Sequence, residues 1–145
     1  MHGRWTIGAV AVAAFMAGFG LRGVTSAGVH AQPGERVFEM RTYTAAPGKF
    51  DALKARFRDH TLKYFEKHGM TNVGYWVPAD APKSENTLVY ILAYPSRDAA
   101  KKSWAAFRAD EGWQQVVKES QKDGSLLANP PESVFLVPAD FSPLK

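Results

Sequence analysis

Within residues 37–137 the spacing of apolar side chains switches repeatedly between about 2 and about 3.6 residues, the periods of a strand and a helix, and that succession restricts the fold more than any other feature. Val37-Phe38-Glu39-Met40-Arg41-Thr42-Tyr43 alternates Phe38 and Met40 with Glu39 and Arg41, as a strand with one apolar and one mixed face does. Pro47 and Gly48 break it. From Phe50 the spacing lengthens to Phe50, Leu53, Phe57, Thr61 and Tyr64, which predicts an amphipathic helix closing at Gly69. Residues 72–77 and 87–94 are rich in β-branched and aromatic side chains, and the turn-forming run 78–86 between them predicts a hairpin with a long polar tip. Pro95 stops the second of these strands. Ser96 is a good N-cap for a helix carrying Ala100, Ser103, Trp104 and Phe107 on one face, and Asp110 caps another piece through Trp113, Val116, Val117 and Ser120 toward Gly124. After Pro130 and Pro131, residues 133–137 predict a last strand, and Pro138 and Pro143 mark an irregular tail.

Strand, helix, strand, strand, helix, strand is the split βαβ order of the ferredoxin-like fold, an α+β class. Helices then cover one face of a four-stranded antiparallel sheet. The other face keeps Tyr, Val and Leu side chains and needs a cover, and a second copy of the same sheet is the simplest one, giving a homodimer with an isologous interface.

Charge is distributed unevenly at the start of the chain. Residues 1–31 contain two basic side chains, Arg4 and Arg22, and no acid. A basic start, the apolar stretch 5–21 and the small-residue ending Val29-His30-Ala31 predict an export leader cut between Ala31 and Gln32, leaving a mature domain of residues 32–145 that is periplasmic or secreted. A retained membrane anchor is the alternative, because that stretch approaches the roughly 20 apolar residues that span a bilayer. Gly8, Gly18 and Gly20 dilute its hydrophobicity and favour cleavage, after which no membrane association is expected. Without Arg4 and Arg22 the chain has 16 basic against 14 acidic side chains, a net charge of +2, and basic and acidic residues alternate along the predicted helices. Nucleic-acid binding has no support in that pattern. The absence of cysteine excludes disulfides, thiolate metal sites and a thiolate nucleophile.

Glu39-x-Arg41-x-Tyr43, the Pro47-Gly48 turn, the stretch from His60 to Gly69, Gly74-Tyr75-Trp76, Tyr94-Pro95-Ser96 and the segment from Trp104 to Trp113 together resemble the NIPSNAP domain over residues 37–137. The resemblance implies a dimeric α/β barrel, in which two ferredoxin-like protomers pair through their sheets. It implies no particular reaction, since members of the family are associated with protein interaction and signalling or are uncharacterised. Related families on the fold include cofactor-independent monooxygenases and haem enzymes, and a fold alone does not transfer function. Gly112 departs from the pattern, where a proline or charged residue is expected before Trp113.

Several residues carry candidate chemistry. His60, Tyr64 and His68 are spaced four and four and form a row along the first helix. Tyr64 and His68 fall near the middle of the apolar stripe and His60 at its border, where an imidazole beside Tyr64 and Arg41 could act as acid or base. His68 also suits a helix C-terminus, where its imidazolium meets the last carbonyls. A shared metal between the two histidines is excluded, because eight residues of helix separate them by about 12 Å. Glu39, Arg41 and Tyr43 stand side by side on one strand face and could bind a carboxylate or enolate, or Glu39 and Arg41 could form a plain ion pair. Trp76, Tyr90, Trp104 and Trp113 either line an apolar pocket or are ordinary core. No phosphate-binding glycine motif, nucleophile elbow or HExxH occurs, so no cofactor is expected.

These features predict a homodimeric domain that binds a small apolar or weakly acidic ligand, or a protein partner, without a defined reaction. The alternative is a cofactor-independent monooxygenase or isomerase, with His60 moving a proton while Arg41 and Tyr43 stabilise an oxyanion. The alternative requires His60, Arg41 and Tyr43 to converge within about 4 to 6 Å, and it loses ground if His60 faces solvent.

Overall fold

A computed structural model describes residues 36–145; the predicted leader lies outside the described residues. The four strands are β1 (Val37–Thr44), β2 (Thr71–Trp76), β3 (Thr87–Tyr94) and β4 (Glu132–Leu136). They form one antiparallel sheet in the order β2-β3-β1-β4. Between β1 and β2 lies a continuous helical rod made of α1 (Phe50–Arg56), a π-helical turn (Phe57–Thr61) and α2 (Leu62–Lys67). Between β3 and β4 lie α3 (Arg97–Ala109) and α4 (Glu111–Ser120). The expected ferredoxin-like order is present.

Local chemistry sets the boundaries. The Ser96 hydroxyl accepts from the Ala99 amide at 3.1 Å and the Asp110 carboxylate from the Trp113 amide at 3.1 Å, so α3 and α4 each begin on a side-chain cap. At the end of α2, Gly69 adopts φ +74 while the Met70 amide reaches back to the Phe65 carbonyl, a turn that closes the helix and favours glycine.

Register divides the sheet into two unlike faces. Val37, Glu39, Arg41 and Tyr43 on β1 stand opposite Tyr94, Leu92, Tyr90 and Leu88 on β3, and this face meets the helices. The core there includes Leu53, Phe57, Phe65, Phe107 and Trp113, with Tyr90 and Leu92 fully buried. Phe38, Met40 and Thr42 lie on the opposite face beside Ala93, Ile91 and Val89. On β4 that outer face presents Val134 and Leu136, both exposed.

The π turn changes which side chains of the first helix point inward. An unbroken α-helix advances about 100° per residue, so the stripe through Leu53 and Phe57 would continue through Thr61 and Tyr64, with His60 at its border. The wider turn, marked by the Leu62 amide bonding to the Phe57 carbonyl five residues back, delays the helix by one residue. Thr61 is buried as expected, Phe65 takes the place of Tyr64, and the Thr61 hydroxyl donates to the Arg56 carbonyl at 3.1 Å. His60 turns to solvent. The expected central place of Tyr64 and His68 is corrected accordingly, since both are only partly buried and Phe65 holds the centre.

A second irregularity acts on β2. Asn72 pairs with Leu92 and Gly74 with the adjacent Ile91, so Val73 is an extra residue in the ladder. Tyr75 then faces the helices and stacks on Tyr90 at 5.4 Å, whereas Trp76 lies on the outer face, half exposed. Its ring folds over Gly74, where a Cβ would sit 2.5 Å from the indole.

Candidate functional site

Glu39 is the most constrained polar group on the helix-facing side of the sheet. It is 2% exposed, yet both carboxylate oxygens are occupied by donors. Oε1 accepts from Arg41 Nη1 at 2.7 Å and the Ser133 hydroxyl at 2.6 Å; Oε2 accepts from the Tyr94 hydroxyl and Trp104 Nε1, each at 2.7 Å. Burial by itself would raise the carboxyl pKa. The donors Ser133, Trp104, Tyr94 and Arg41 outweigh it and hold the pKa below the usual carboxylate value, so Glu39 is ionised at neutral pH. A carboxylate so engaged cannot serve as a proton acceptor. It serves to fix Arg41, whose guanidinium carbon lies 4.4 Å from the Trp104 ring centroid and 5.8 Å from that of Tyr43.

Arg41 forms one wall of a cleft of about 550 Å³ between β1, β4 and α3. Arg97, Lys101 and Arg108 from α3 share the cleft with Trp104 and Phe135, and Arg97 lies 4.1 Å over the Phe135 ring. Its acids are Asp98 and the ion-paired Glu39. Four cations against two carboxylates, above aromatic walls, suit a small anion with an apolar body.

The remaining expected site residues separate from this cleft. His60 is exposed and lines another groove, between α1 and α4, together with Arg56, Asp59, Glu119, Ser120 and Lys122. His60 therefore stands apart from Arg41 and Tyr43, and the π turn is the reason. Trp76 is an outer-face residue and forms no part of an interior wall, a consequence of the bulge at Val73. Tyr90 and Trp113 are core. Tyr64 packs against Trp113 at 5.7 Å, and His68 Nε2 pairs with Asp110 at 2.8 Å, so the imidazole links α2 to the cap of α4. Lys67 donates to the same Asp110 oxygen at 2.6 Å; this bond and the Trp113 amide hold the Asp110 carboxyl well below its ordinary pKa. The departure at Gly112 has a steric cause, because a Cβ there would lie 2.5 Å from the Tyr64 hydroxyl. Among the described residues no group of histidine and acidic side chains could hold a metal ion. Also among the described residues, no helix is long and apolar enough to cross a membrane.

For several residues important to this geometry, the sequence gives no sign of the partner or the burial that the fold provides. Ser133 and Tyr94 meet Glu39 from 94 and 55 positions away along the chain. Arg56 looks like part of a charged helix surface in the sequence, but it is 7% exposed.

A four-stranded antiparallel sheet of ferredoxin-like order with helices on one face is the fold of the dimeric α/β-barrel class. The NIPSNAP family profile matches residues 38–143, and the chain belongs to the NIPSNAP family. Among solved structures it is similar to a NIPSNAP family protein of unknown function from Agrobacterium tumefaciens, at 27% identity and TM-score 0.66, over 81% of this chain and 100% of that one. It is also similar to an uncharacterized NIPSNAP domain protein from Burkholderia xenovorans, at 27% identity and TM-score 0.62, over 74% of this chain and 98% of that one. A monooxygenase of Streptomyces coelicolor in complex with nanaomycin D is 16% identical with TM-score 0.52, over 74% of this chain and 91% of that one, and shows the shared fold alone. No curated protein matches the chain.

Proposed function

We propose that this domain binds a small, partly apolar molecule bearing a carboxylate or comparable weak acid in the cleft beside α3. The supporting observation is the excess of Arg41, Arg97, Lys101 and Arg108 over Glu39 and Asp98 around aromatic walls. The oxygenase alternative gains nothing from the geometry, because the groups lining that cleft include no histidine and Glu39 is fully engaged. The test is extraction of the purified mature protein followed by negative-ion mass spectrometry, paired with titration of benzoate as a simple aromatic acid. Benzoate is expected to raise the melting temperature by mass action, and Arg97→Ala with Arg108→Ala to weaken it at least tenfold (about 1.4 kcal/mol). Recovery of no acid together with no benzoate response would end this reading.

The domain acts as a homodimer in this reading, with the outer sheet face as the interface. Phe38, Met40, Ile91, Val134 and Leu136 give that face its apolar character. Sedimentation at micromolar concentration is expected to show a dimer, and Val134→Lys with Leu136→Lys a single-copy particle; a monomeric wild type contradicts the assignment. The same reading places the mature protein outside the cytoplasm, supported by the acid-free leader. Its intact mass should then begin at Gln32, and a retained Met1 in the exported fraction would refute cleavage.

A further inference from the structure

The groove of about 510 Å³ between α1, the π turn and α4 shares no lining residue with the cleft beside α3. Arg56 is its most buried lining residue, at 7% exposed, whereas Asp59, His60, Glu119 and Lys122 stand exposed around it. The guanidinium is poorly satisfied. Nε is buried without a hydrogen-bond partner, and among the described residues the side chain makes one polar contact, a long 3.4 Å bond from Nη1 to the Ser120 hydroxyl. That hydroxyl gives its own proton to the Val117 carbonyl at 3.0 Å. The Trp113 ring, 5.7 Å from the guanidinium carbon, adds a cation–π contact near the limit of its range.

No carboxylate among the described residues lies within ion-pair distance of Arg56. Two acids line the same groove, but Glu119 accepts from Gln115 Nε2 at 3.0 Å and Asp59 forms no ion pair. Arg41 is the instructive contrast. Burial lowers the pKa of both arginines; at Arg41 its neighbours, the bonded Glu39 among them, outweigh burial, while at Arg56 burial prevails. An arginine keeps its proton in a protein, so Arg56 carries a buried positive charge that nothing among the described residues neutralises. Such a charge is strongly unfavourable until an anion meets it.

We propose that this groove is a second binding site, separate from the cleft beside α3, and that it takes a small aliphatic monocarboxylic acid whose carboxylate pairs with Arg56. Charge sets the class. The buried Arg56 calls for one anion, while Asp59 and Glu119 against Lys122 leave the exposed rim with a net negative charge that repels a second one. A guanidinium matches a planar carboxylate through parallel N–H bonds. Ala52, Ala55 and Val116 supply a short apolar wall for the rest of the molecule. The π turn belongs to the site as well: it places His60 on the groove that Arg56 lines, and turns of this kind inside α-helices are frequent at functional sites. The proposal does not depend on acid binding beside α3 and stands if that reading fails.

Titration of the isotope-labelled full mature chain with butyrate, and separately with inorganic phosphate, tests this through the backbone amide shifts of Arg56, His60 and Ser120. Butyrate is expected to give saturable shifts at these amides, and phosphate to bind at least tenfold more weakly. Arg56→Met should weaken butyrate at least tenfold while leaving the unliganded melting temperature unchanged or raised, since an apolar group replaces a lone buried charge. Arg97→Ala with Arg108→Ala should bind butyrate in the groove as wild type does, and Asp59→Asn with Glu119→Gln more tightly. The proposal is overturned by an absence of saturable shifts, by butyrate binding that survives Arg56→Met or is lost with Arg97 and Arg108, or by phosphate binding as tightly as butyrate. It is equally overturned if Arg56→Met, or Asp59→Asn with Glu119→Gln, melts markedly lower without ligand, because Arg56 would then already have an internal partner. The benzoate response of the Arg97 and Arg108 variants reports on the cleft beside α3 alone, so failure at one site is distinguishable from failure at the other.

Discussion

Glu39→Ala is expected to lose about 3 to 5 kcal/mol of folding stability, the usual cost of removing one partner from a buried ion pair. The magnitude follows from what the carboxylate leaves behind. Arg41 would keep its charge without a counter-ion, and the Tyr94, Trp104 and Ser133 donors would lose their acceptor. Urea unfolding at neutral pH measures it, and a loss below about 1 kcal/mol would place Glu39 among ordinary surface ion pairs. The pH dependence has a definite sign. Because the folded carboxyl has a lowered pKa, its contribution is complete above the unfolded value of about 4.3 and disappears as pH falls through the folded value. Glu39→Gln should therefore differ most from wild type at neutral pH, with the gap narrowing below about pH 4.

Phe65→Ala is expected to cost about 3 to 5 kcal/mol, the range for deleting a buried phenylalanine. Phe65 is 1% exposed and meets Tyr90, Trp104 and Phe107 at 5.8, 5.5 and 5.0 Å, so the cavity would open where the two helical layers join the sheet. Tyr64→Ala removes a partly buried ring and should cost clearly less. Equal losses in the two variants would mean that the π turn does not set the helix register in solution.

These two residues also mark the boundary of what sequence spacing can reveal. Glu39 was recognisable as a neighbour of Arg41 because alternate positions of a strand share a face, a purely local rule. Its other donors, Tyr94, Trp104 and Ser133, come from three different elements and meet only when the sheet closes and α3 lands on it. Phe65 escaped the helical stripe for the opposite reason. The α-helical period is reliable only while the hydrogen-bond pattern is regular, and one five-residue turn exchanged Phe65 for Tyr64 and sent His60 outward. The bulge at Val73 exchanged Tyr75 for Trp76 in the same way.

Apolar periodicity, Ser96 and Asp110 as caps, and Gly69 as a helix stop were enough by themselves to determine the order of strands and helices, because each acts within a few residues of chain. Resemblance across residues 37–137 pointed to the family. Tertiary structure alone decided which side chains meet: Arg56 buried beside Trp113, Arg97 over Phe135, and His60 in a different groove from Arg41. One extra residue in the first helix turns His60 outward, and one in β2 does the same to Trp76. Both are accommodated by packing between layers, which no local pattern of residue types encodes.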